Sequence, residues 1–236
     1  MKHAFILMIF VTMFLLALSF AGFLISASSS VPYTKEKITQ GNFTNLFNLY
    51  FTGNPALDNR PCYGNPNATI TLVEYSRPNS GASREFYAND FQELESNYIR
   101  NGKLKLCHKN HISLGEYNEK ADTFKYALAL SCVNKMAGDR YMKFYLMLQN
   151  TSGPGEINNV ASSLGISSQD FQTCMNSSDD EQVREDAAEV DRFGMTGVMP
   201  RYYLSMDGFD STTINGVPPI DDLKRAIKRY EVVLGD

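Results

Sequence analysis

Four cysteines are the residues of this chain with the clearest capacity for redox or metal chemistry. They are Cys62, Cys107, Cys132 and Cys174. An even number of cysteines in an oxidising compartment indicates disulfides, whereas in a cytosolic protein cysteines more often bind metal or act in catalysis. The compartment therefore decides between these chemistries, and the N-terminus of the chain indicates the compartment.

Residues 4–25 form an uncharged apolar run whose only polar side chains are Thr12 and Ser19. As a helix this run spans roughly 33 Å, enough to cross the hydrocarbon core of a bilayer. Because Lys2 precedes it, the positive-inside rule places the N-terminus in the cytoplasm and the rest of the chain outside. A cleaved signal peptide ending near residues 26–28 is the alternative, although a secretory apolar region usually has about 7–15 residues. On either interpretation the four cysteines lie outside the cytoplasm, which favours two disulfides.

A metal site at Cys107, His108 and His111 is disfavoured. Successive side chains of a strand point to opposite faces, so Cys107 and His108 diverge. Moreover, no carboxylate or second cysteine at ligand spacing completes a tetrahedral site. The sequence therefore predicts no metal.

Charge and composition exclude further classes of function. The chain has 236 residues and a net charge of −4, and it contains no run of five or more basic residues, so we expect no nucleic-acid partner. Gly153-Pro154-Gly155 is typical of a turn and not of a phosphate-binding loop. We therefore expect no cofactor.

Four Asn-x-Ser/Thr triplets agree with an exported chain, because such triplets are glycosylation acceptors in secreted proteins. The candidate acceptors are Asn42, Asn67, Asn150 and Asn176.

The pattern of apolar residues predicts a signal-anchor over 1–27, a tether over 28–60 and one domain over 61–236. The tether is rich in Ser, Thr, Asn and Gly, and residues 43–50 predict a short amphipathic helix within it.

Within the domain, the first elements predict a βαβ unit with parallel strands. Residues 69–75 are typical of a strand, a helical pattern runs from Ser83 to Asn101-Gly102, and residues 103–109 alternate as a second strand.

The remaining elements predict a helical block followed by two strands and a helix. The predicted helices are 120–136, 139–149, 156–164, 169–175 and 180–192; the predicted strands are 201–206 and 212–214; the last helix is 220–233. This order is that of an α/β thioredoxin-like fold split by a helical insertion at about residues 116–192.

The stretch Gly64–Ser76 resembles the opening strand of the DsbA-like thioredoxin-fold proteins, a family of thiol–disulfide oxidoreductases. In that family an acidic residue lies six positions before the first cysteine of a Cys-x-x-Cys motif. Counting from Glu74 places the motif at Ser80-Gly81-Ala82-Ser83. The resemblance extends over about residues 61–230, through the segments 106–110, 127–132, 171–174, 194–200 and 214–216. It implies a DsbA-like fold with a degenerate motif, and the transmembrane helix predicted from residues 4–25 precedes this fold.

Serine at both motif positions removes the family's chemistry. Thiol–disulfide exchange needs a sulfur that attacks and a sulfur that leaves, and the hydroxyl groups of Ser80 and Ser83 supply neither. The resemblance thus implies an oxidoreductase, but we expect no catalytic residue and a redox-inactive motif.

The resemblance also assigns groove residues. Pro200 matches the family's cis-proline, which exposes the backbone of the preceding residue, Met199, to an extended client chain; an ordinary trans proline at a strand start is the alternative. Glu74 matches the acidic residue that tunes the family's thiol. Without a thiol, the favoured interpretation of Glu74 is a partly buried carboxylate held by Ser80 or Arg77.

Both disulfide pairs also depend on the resemblance. Cys132 and Cys174 match helical positions that are bonded to each other in some members of the family. Cys62 and Cys107 are the pair that remains, and a bond between them is plausible because Cys62 lies just before the first strand and Cys107 lies in its expected neighbour. A catalytic role for this second pair is disfavoured, since neither residue begins a helix.

The leading functional hypothesis is a redox-inactive, chaperone-like protein that binds extended or unfolded polypeptides near the membrane. One alternative is a serine-dependent enzyme resembling the kappa-class glutathione transferases, in which Ser80 hydrogen-bonds the sulfur of a thiol substrate. Another is a structural partner of a membrane protein complex.

Overall fold

A five-stranded mixed sheet in the order β1-β3-β2-β4-β5 organises the fold. The computed structural model describes residues 55–177, 180–195, 197, 199–206 and 211–234. The strands are β1 (Cys62–Tyr63), β2 (Ile70–Ser76), β3 (Leu104–Asn110), β4 (Arg201–Met206) and β5 (Thr212–Asn215). The pair β2–β3 is parallel, as predicted, and the other three pairs are antiparallel.

The helices agree closely with the predicted ones. They are α1 (Gly81–Asn89), α2 (Phe91–Leu94), α3 (Asp122–Ala137), α4 (Tyr141–Leu148), α5 (Ile157–Ser163), α6 (Ser168–Met175), α7 (Glu181–Arg192) and α8 (Ile220–Leu234). Short 3₁₀ turns at Leu114–Glu116, Gly138–Arg140 and Pro154–Glu156 and a π-helical turn at Glu95–Ile99 complete the helical segments. The fold class, a thioredoxin-like α/β fold with a helical insertion, is confirmed.

Strand β2 is buried along its whole length because it is covered on both faces. On one face Leu72 packs in a cluster with Phe86 of α1 and Ile227 of α8. On the other face Val73 packs with Val190 of α7. Because both faces of β2 are covered, every side chain of the strand is buried, including its only carboxylate, Glu74.

Helices α3 to α6 of the insertion surround a separate apolar cluster. Nine of the 16 residues of α3 are buried, so this helix is enclosed by its neighbours instead of having one solvent-facing side. This enclosure gives the insertion a core of its own, apart from the sheet.

A buried ionic cluster joins α7 to the sheet and to residues 56–60, which the sequence analysis assigned to the tether. Lys109 of β3 is fully buried and pairs with Glu189, and its Nζ lies 3.7 Å from Asp186 Oδ1. The Ala56 amide donates to Glu189 at 3.1 Å, and Arg60 pairs with Asp186 at 3.2 Å. Residues 56–60 therefore contact the domain, because buried carboxylates of α7 need these donors.

Two local features differ from the prediction. Strand β1 was not predicted, since two residues between prolines carry no periodic signal. The helix predicted from Ser83 is divided into α1, α2 and the π-helical turn, with Asp90 between the first two.

The predicted anchor over 4–25 and the predicted helix over 43–50 lie outside the described residues. Within the part of the chain that the structure describes, no helix is long and apolar enough to cross a bilayer.

Candidate functional site

The degenerate motif begins helix α1. Ser80 has an extended backbone, and its Oγ accepts a hydrogen bond from the Ser83 amide at 3.4 Å, so Ser80 is the N-cap residue and Gly81 is the first helical residue. Ser80 is half-buried, whereas Ser83 is fully buried. The two serines thus occupy a helix N-terminus, the position at which unpaired amides and the helix dipole would stabilise a thiolate.

No sulfur is available at these positions. All four cysteines of the chain are bonded in pairs, Cys62 with Cys107 and Cys132 with Cys174, as the sequence analysis expected. A serine hydroxyl cannot be the attacking or leaving sulfur of an exchange reaction. Dithiol chemistry at residues 80–83 therefore lacks its reacting atoms.

The Met199–Pro200 bond is cis, as the resemblance implied, and Met199 contacts Arg77 in the segment that leads into the motif. Tyr75 pairs with Arg201 in the antiparallel register, so the start of β4 lies next to the end of β2. Four residues separate the end of β2 from the start of α1. Pro200 is buried and Met199 is half-buried. The sheet register therefore brings the proline loop and the segment that leads into the motif together.

Arg77 links the segments around this site. Its Nε donates to Met199 Sδ at 3.0 Å, and its Nη1 donates to Glu116 at 2.8 Å and to Thr123 at 3.0 Å. A single guanidinium thus connects the proline loop to the start of the insertion. The suggestion that Arg77 pairs with Glu74 is therefore wrong, because the guanidinium is directed to Glu116.

Glu74 lies beneath the site and not on its surface. Its side chain is fully buried, and it accepts a short hydrogen bond from the Tyr87 hydroxyl, whereas Ser80 is engaged with the Ser83 amide. Burial raises the pKa of Glu74 to about 7, an effect that the hydrogen bonds from Tyr87 and Ser76 oppose. The expectation of a partly buried groove carboxylate held by Ser80 is thus wrong, since β2 is enclosed on both faces.

A chain of buried hydrogen bonds continues from Glu74 along the same face of the sheet. Ser76 Oγ lies 2.6 Å from the Tyr145 hydroxyl and 3.1 Å from His108 Nε2, and His108 Nδ1 lies 2.5 Å from the Tyr141 hydroxyl. Burial lowers the pKa of His108 to about 3, so the imidazole is neutral at physiological pH. These contacts use His108 within the core, and Cys107 is bonded to Cys62.

Sequence reasoning missed the tyrosines of this network, Tyr87, Tyr141 and Tyr145, because tyrosines at helical spacing are typical of core packing. One signal was available: side chains two positions apart on a strand share a face. Glu74 and Ser76 therefore lie on one face of β2, and in the parallel register Glu74 is opposite His108.

We expect Glu74→Gln to stabilise the protein at high pH. Because the folded-state pKa is raised from 4.5 to about 7, the unfolded chain releases this proton first as the pH rises. The Glu74 carboxyl group therefore lowers the free energy of unfolding as the pH rises. This destabilisation is absent below about pH 4.5, grows up to about pH 7 and then stays constant at about 3 kcal/mol. Urea denaturation of both proteins should show a stability difference about 3 kcal/mol larger at pH 8 than at pH 4.5.

The matched control is Glu85→Gln, which removes an exposed carboxylate from the same part of the chain. Its effect on the free energy of unfolding should be small and similar at both pH values. A constant offset for Glu74→Gln between pH 4.5 and pH 8 would contradict the raised pKa.

The structure also describes three of the four glycosylation candidates. Asn67, Asn150 and Asn176 are exposed, and Asn42 lies outside the described residues. Glycosylation of these positions stays a prediction.

Comparison with known proteins agrees with the fold. A family model described as thioredoxin matches residues 57–227, more than half of the chain. No curated protein matches the chain.

Among solved structures, oxidised BdbD from Bacillus subtilis is similar, with a TM-score of 0.64 and 20% identity over 75% of this chain and 96% of that chain. Wolbachia pipientis alpha-DsbA1 has a TM-score of 0.62 and 17% identity over 74% of this chain and 92% of that chain. Chlamydia trachomatis DsbA has a TM-score of 0.58 and 18% identity over the same shares. Because the family model matches more than half of the chain, this protein belongs to the thioredoxin family. Its sheet order and helical insertion give it a DsbA-like fold.

Proposed function

We propose that this protein is a membrane-anchored, extracytoplasmic member of the family that binds extended or unfolded polypeptides and does not exchange disulfides at its motif. The observation that carries the proposal is the placement of Ser80 and Ser83 at the start of α1, three residues after Arg77, whose guanidinium contacts Met199. The site thus keeps the architecture of the family without its sulfur atoms.

The surface beside Pro200 suits a polypeptide better than a small polar ligand. Met199 is half-buried, and Leu114, two residues before Glu116 in the same 3₁₀ turn, is 49% exposed. Apolar side chains of an unfolded client can pack on Met199 and Leu114, while the Arg77–Glu116 ion pair offers polar partners to its backbone.

The apolar run over residues 4–25 supports the proposed location. It is long enough to cross a bilayer, and Lys2 precedes it, so the domain follows on the outer side. Clients are then polypeptides that emerge into, or unfold in, the extracytoplasmic space.

The test is binding of a fluorescent, permanently unfolded client, such as a carboxymethylated polypeptide, to the full chain in detergent micelles. Met199→Glu should weaken binding about tenfold, because loss of a buried methionine contact corresponds to about 1.5 kcal/mol. The new carboxylate also lies next to Arg77 and places a second ion pair where an apolar side chain should dock.

Met136→Glu is the matched control, since Met136 is 38% exposed at the end of α3, away from the proline loop. It should leave the affinity for the client unchanged. Equal affinities of the Met199→Glu and wild-type proteins would remove the Pro200 surface from the function and favour a structural role in a membrane complex.

A further inference from the structure

The disulfide between Cys62 and Cys107 lies at an edge of the sheet. Among the described strands β1 pairs only with β3, and it contains two residues, of which Cys62 faces Cys107 directly. Cys62 is exposed, whereas Cys107 is fully buried. Cys62 is thus accessible from solvent, and Cys107 is protected from it.

Cys62 borders a cleft of about 700 Å³, whose lining includes Tyr63, Asn65, Arg100, Asn101 and Met142. The Arg100 side chain is 68% exposed and lies 3.2 Å from Glu95. A guanidinium at the rim of a cleft attracts anions, and the thiolate is the reactive form of a thiol. The cleft therefore has room for a small thiol or a cysteine side chain, and Arg100, which is paired with Glu95, is its arginine, whereas Asp139 also lines it.

The second disulfide of the chain provides an internal comparison. Cys132 is fully buried in α3, and Cys174 of α6 is half-buried and packs against the apolar cluster of the insertion. Neither cysteine of this bond is exposed, whereas Cys62 is exposed in the folded domain.

We propose that Cys62–Cys107 is a thiol–disulfide exchange site, separate from the serine motif, whose substrate is the thiolate of a small thiol or of a reduced polypeptide cysteine. The thiolate attacks Cys62 Sγ, the Cys62–Cys107 bond breaks, and its electron pair leaves on Cys107 Sγ, which takes a proton from water. A second thiolate then attacks the substrate sulfur of the mixed disulfide and releases Cys62. Two substrate thiols are oxidised to one disulfide, and the protein disulfide is reduced to two thiols.

This chemistry does not need the helix N-terminus that the family uses. A motif cysteine must itself become a thiolate in order to attack, and its pKa must therefore be low. In the proposed reaction the protein contributes the disulfide that is attacked, so access to Cys62 Sγ is the main requirement. The absence of a helix start at Cys62 thus does not prevent the exchange.

The surrounding contacts keep the two cysteines aligned after reduction. The Pro61 carbonyl accepts from the His108 amide at 3.0 Å, and the Tyr63 hydroxyl donates to Glu95. Gly64 has a φ of +111°, and a Cβ at this position would lie 2.8 Å from Ile99 Cγ2. Because glycine and these two hydrogen bonds place β1 independently of the sulfurs, the bond can form again.

The experiment uses the wild-type full chain in micelles under anaerobic conditions. The protein is exposed to graded reduced glutathione, quenched with an alkylating reagent and analysed by peptide mass spectrometry. Cys62 and Cys107 should become alkylated about tenfold faster than Cys132 and Cys174, because Cys62 is exposed whereas Cys132 is fully buried and Cys174 is half-buried against the insertion core. The glutathione adduct should form on Cys62.

Arg100→Glu should slow the exchange with anionic glutathione severalfold. Arg184→Glu is the matched control, since the Arg184 side chain is 62% exposed on α7, and it should leave the rate unchanged. Simultaneous or earlier reduction of Cys132–Cys174, or an adduct on Cys107, overturns the proposal. Because the motif serines take no part, this outcome is independent of the client-binding test.

Discussion

Replacing both motif serines by cysteine, Ser80→Cys with Ser83→Cys, should turn this protein into a measurable disulfide reductase. We expect the rate of insulin reduction to rise on the order of 10²-fold over the wild type. This increase is much smaller than the roughly 10⁶-fold loss of rate when a serine protease loses its nucleophile. The wild-type protein should show only the slow exchange that Cys62 supports.

The geometry around the motif explains this expectation. Ser80 caps α1, so a thiolate at this position would face unpaired amides and the positive end of the helix dipole, which lower a thiol pKa. Ser83 lies in the first turn of the same helix, at the spacing of the family's second cysteine. The substitution therefore adds sulfur to an arrangement that otherwise resembles the active form.

Each single substitution serves as a control. Ser80→Cys alone should form a mixed disulfide with a client but should not turn over, because no second sulfur releases the client. Ser83→Cys alone should react slowly, since this position is buried. Insulin reduction by the wild type at the rate of the double variant would show that the serine motif does not determine redox activity.

Removing the Cys132–Cys174 disulfide, by Cys132→Ala with Cys174→Ala, should lower the free energy of unfolding by about 4 kcal/mol. The two cysteines are 42 residues apart, and the bond limits the conformations of this long loop in the unfolded chain. The bond also joins α3 to α6, which surround the core of the insertion. Guanidinium denaturation of both proteins under non-reducing conditions measures the difference.

A neighbouring surface substitution provides the control. Thr173→Ala changes an exposed residue adjacent to Cys174 and should alter the free energy of unfolding by less than about 0.5 kcal/mol. If loss of the disulfide changes the stability by no more than this control does, the bond does not hold the insertion together.

Much of the fold could be predicted from the sequence because helices and strands have different apolar periods. The alternation in residues 103–109 predicted β3 (Leu104–Asn110), and the 3.6-residue period in 180–192 predicted α7 (Glu181–Arg192). The order of the predicted elements indicated the helical insertion, whereas the strand order of the sheet was not predicted. Strand β1 escaped prediction because its two residues are defined only by their pairing with β3.

The candidate site divides in the same way between local and tertiary information. Residue identity alone determined that Ser80 and Ser83 cannot exchange disulfides, because that conclusion depends on which atoms are present. The partners of Glu74 and Arg77 depended on the tertiary structure, since Tyr87 and Glu116 reach them only after α1 and the insertion have packed.

The accessibility of each disulfide was likewise decided by the tertiary structure. The resemblance implied the pairing of Cys132 with Cys174 and left Cys62 and Cys107 as the remaining pair, but the sequence did not distinguish Cys62 from Cys174 in exposure. Burial is a property of the assembled chain: Cys62 is exposed because β1 lies at an edge of the sheet, and Cys174 is shielded because α6 packs on the insertion core. Chemical identity could thus be deduced from the sequence, whereas reactivity depends on which atoms the folded chain leaves open to solvent.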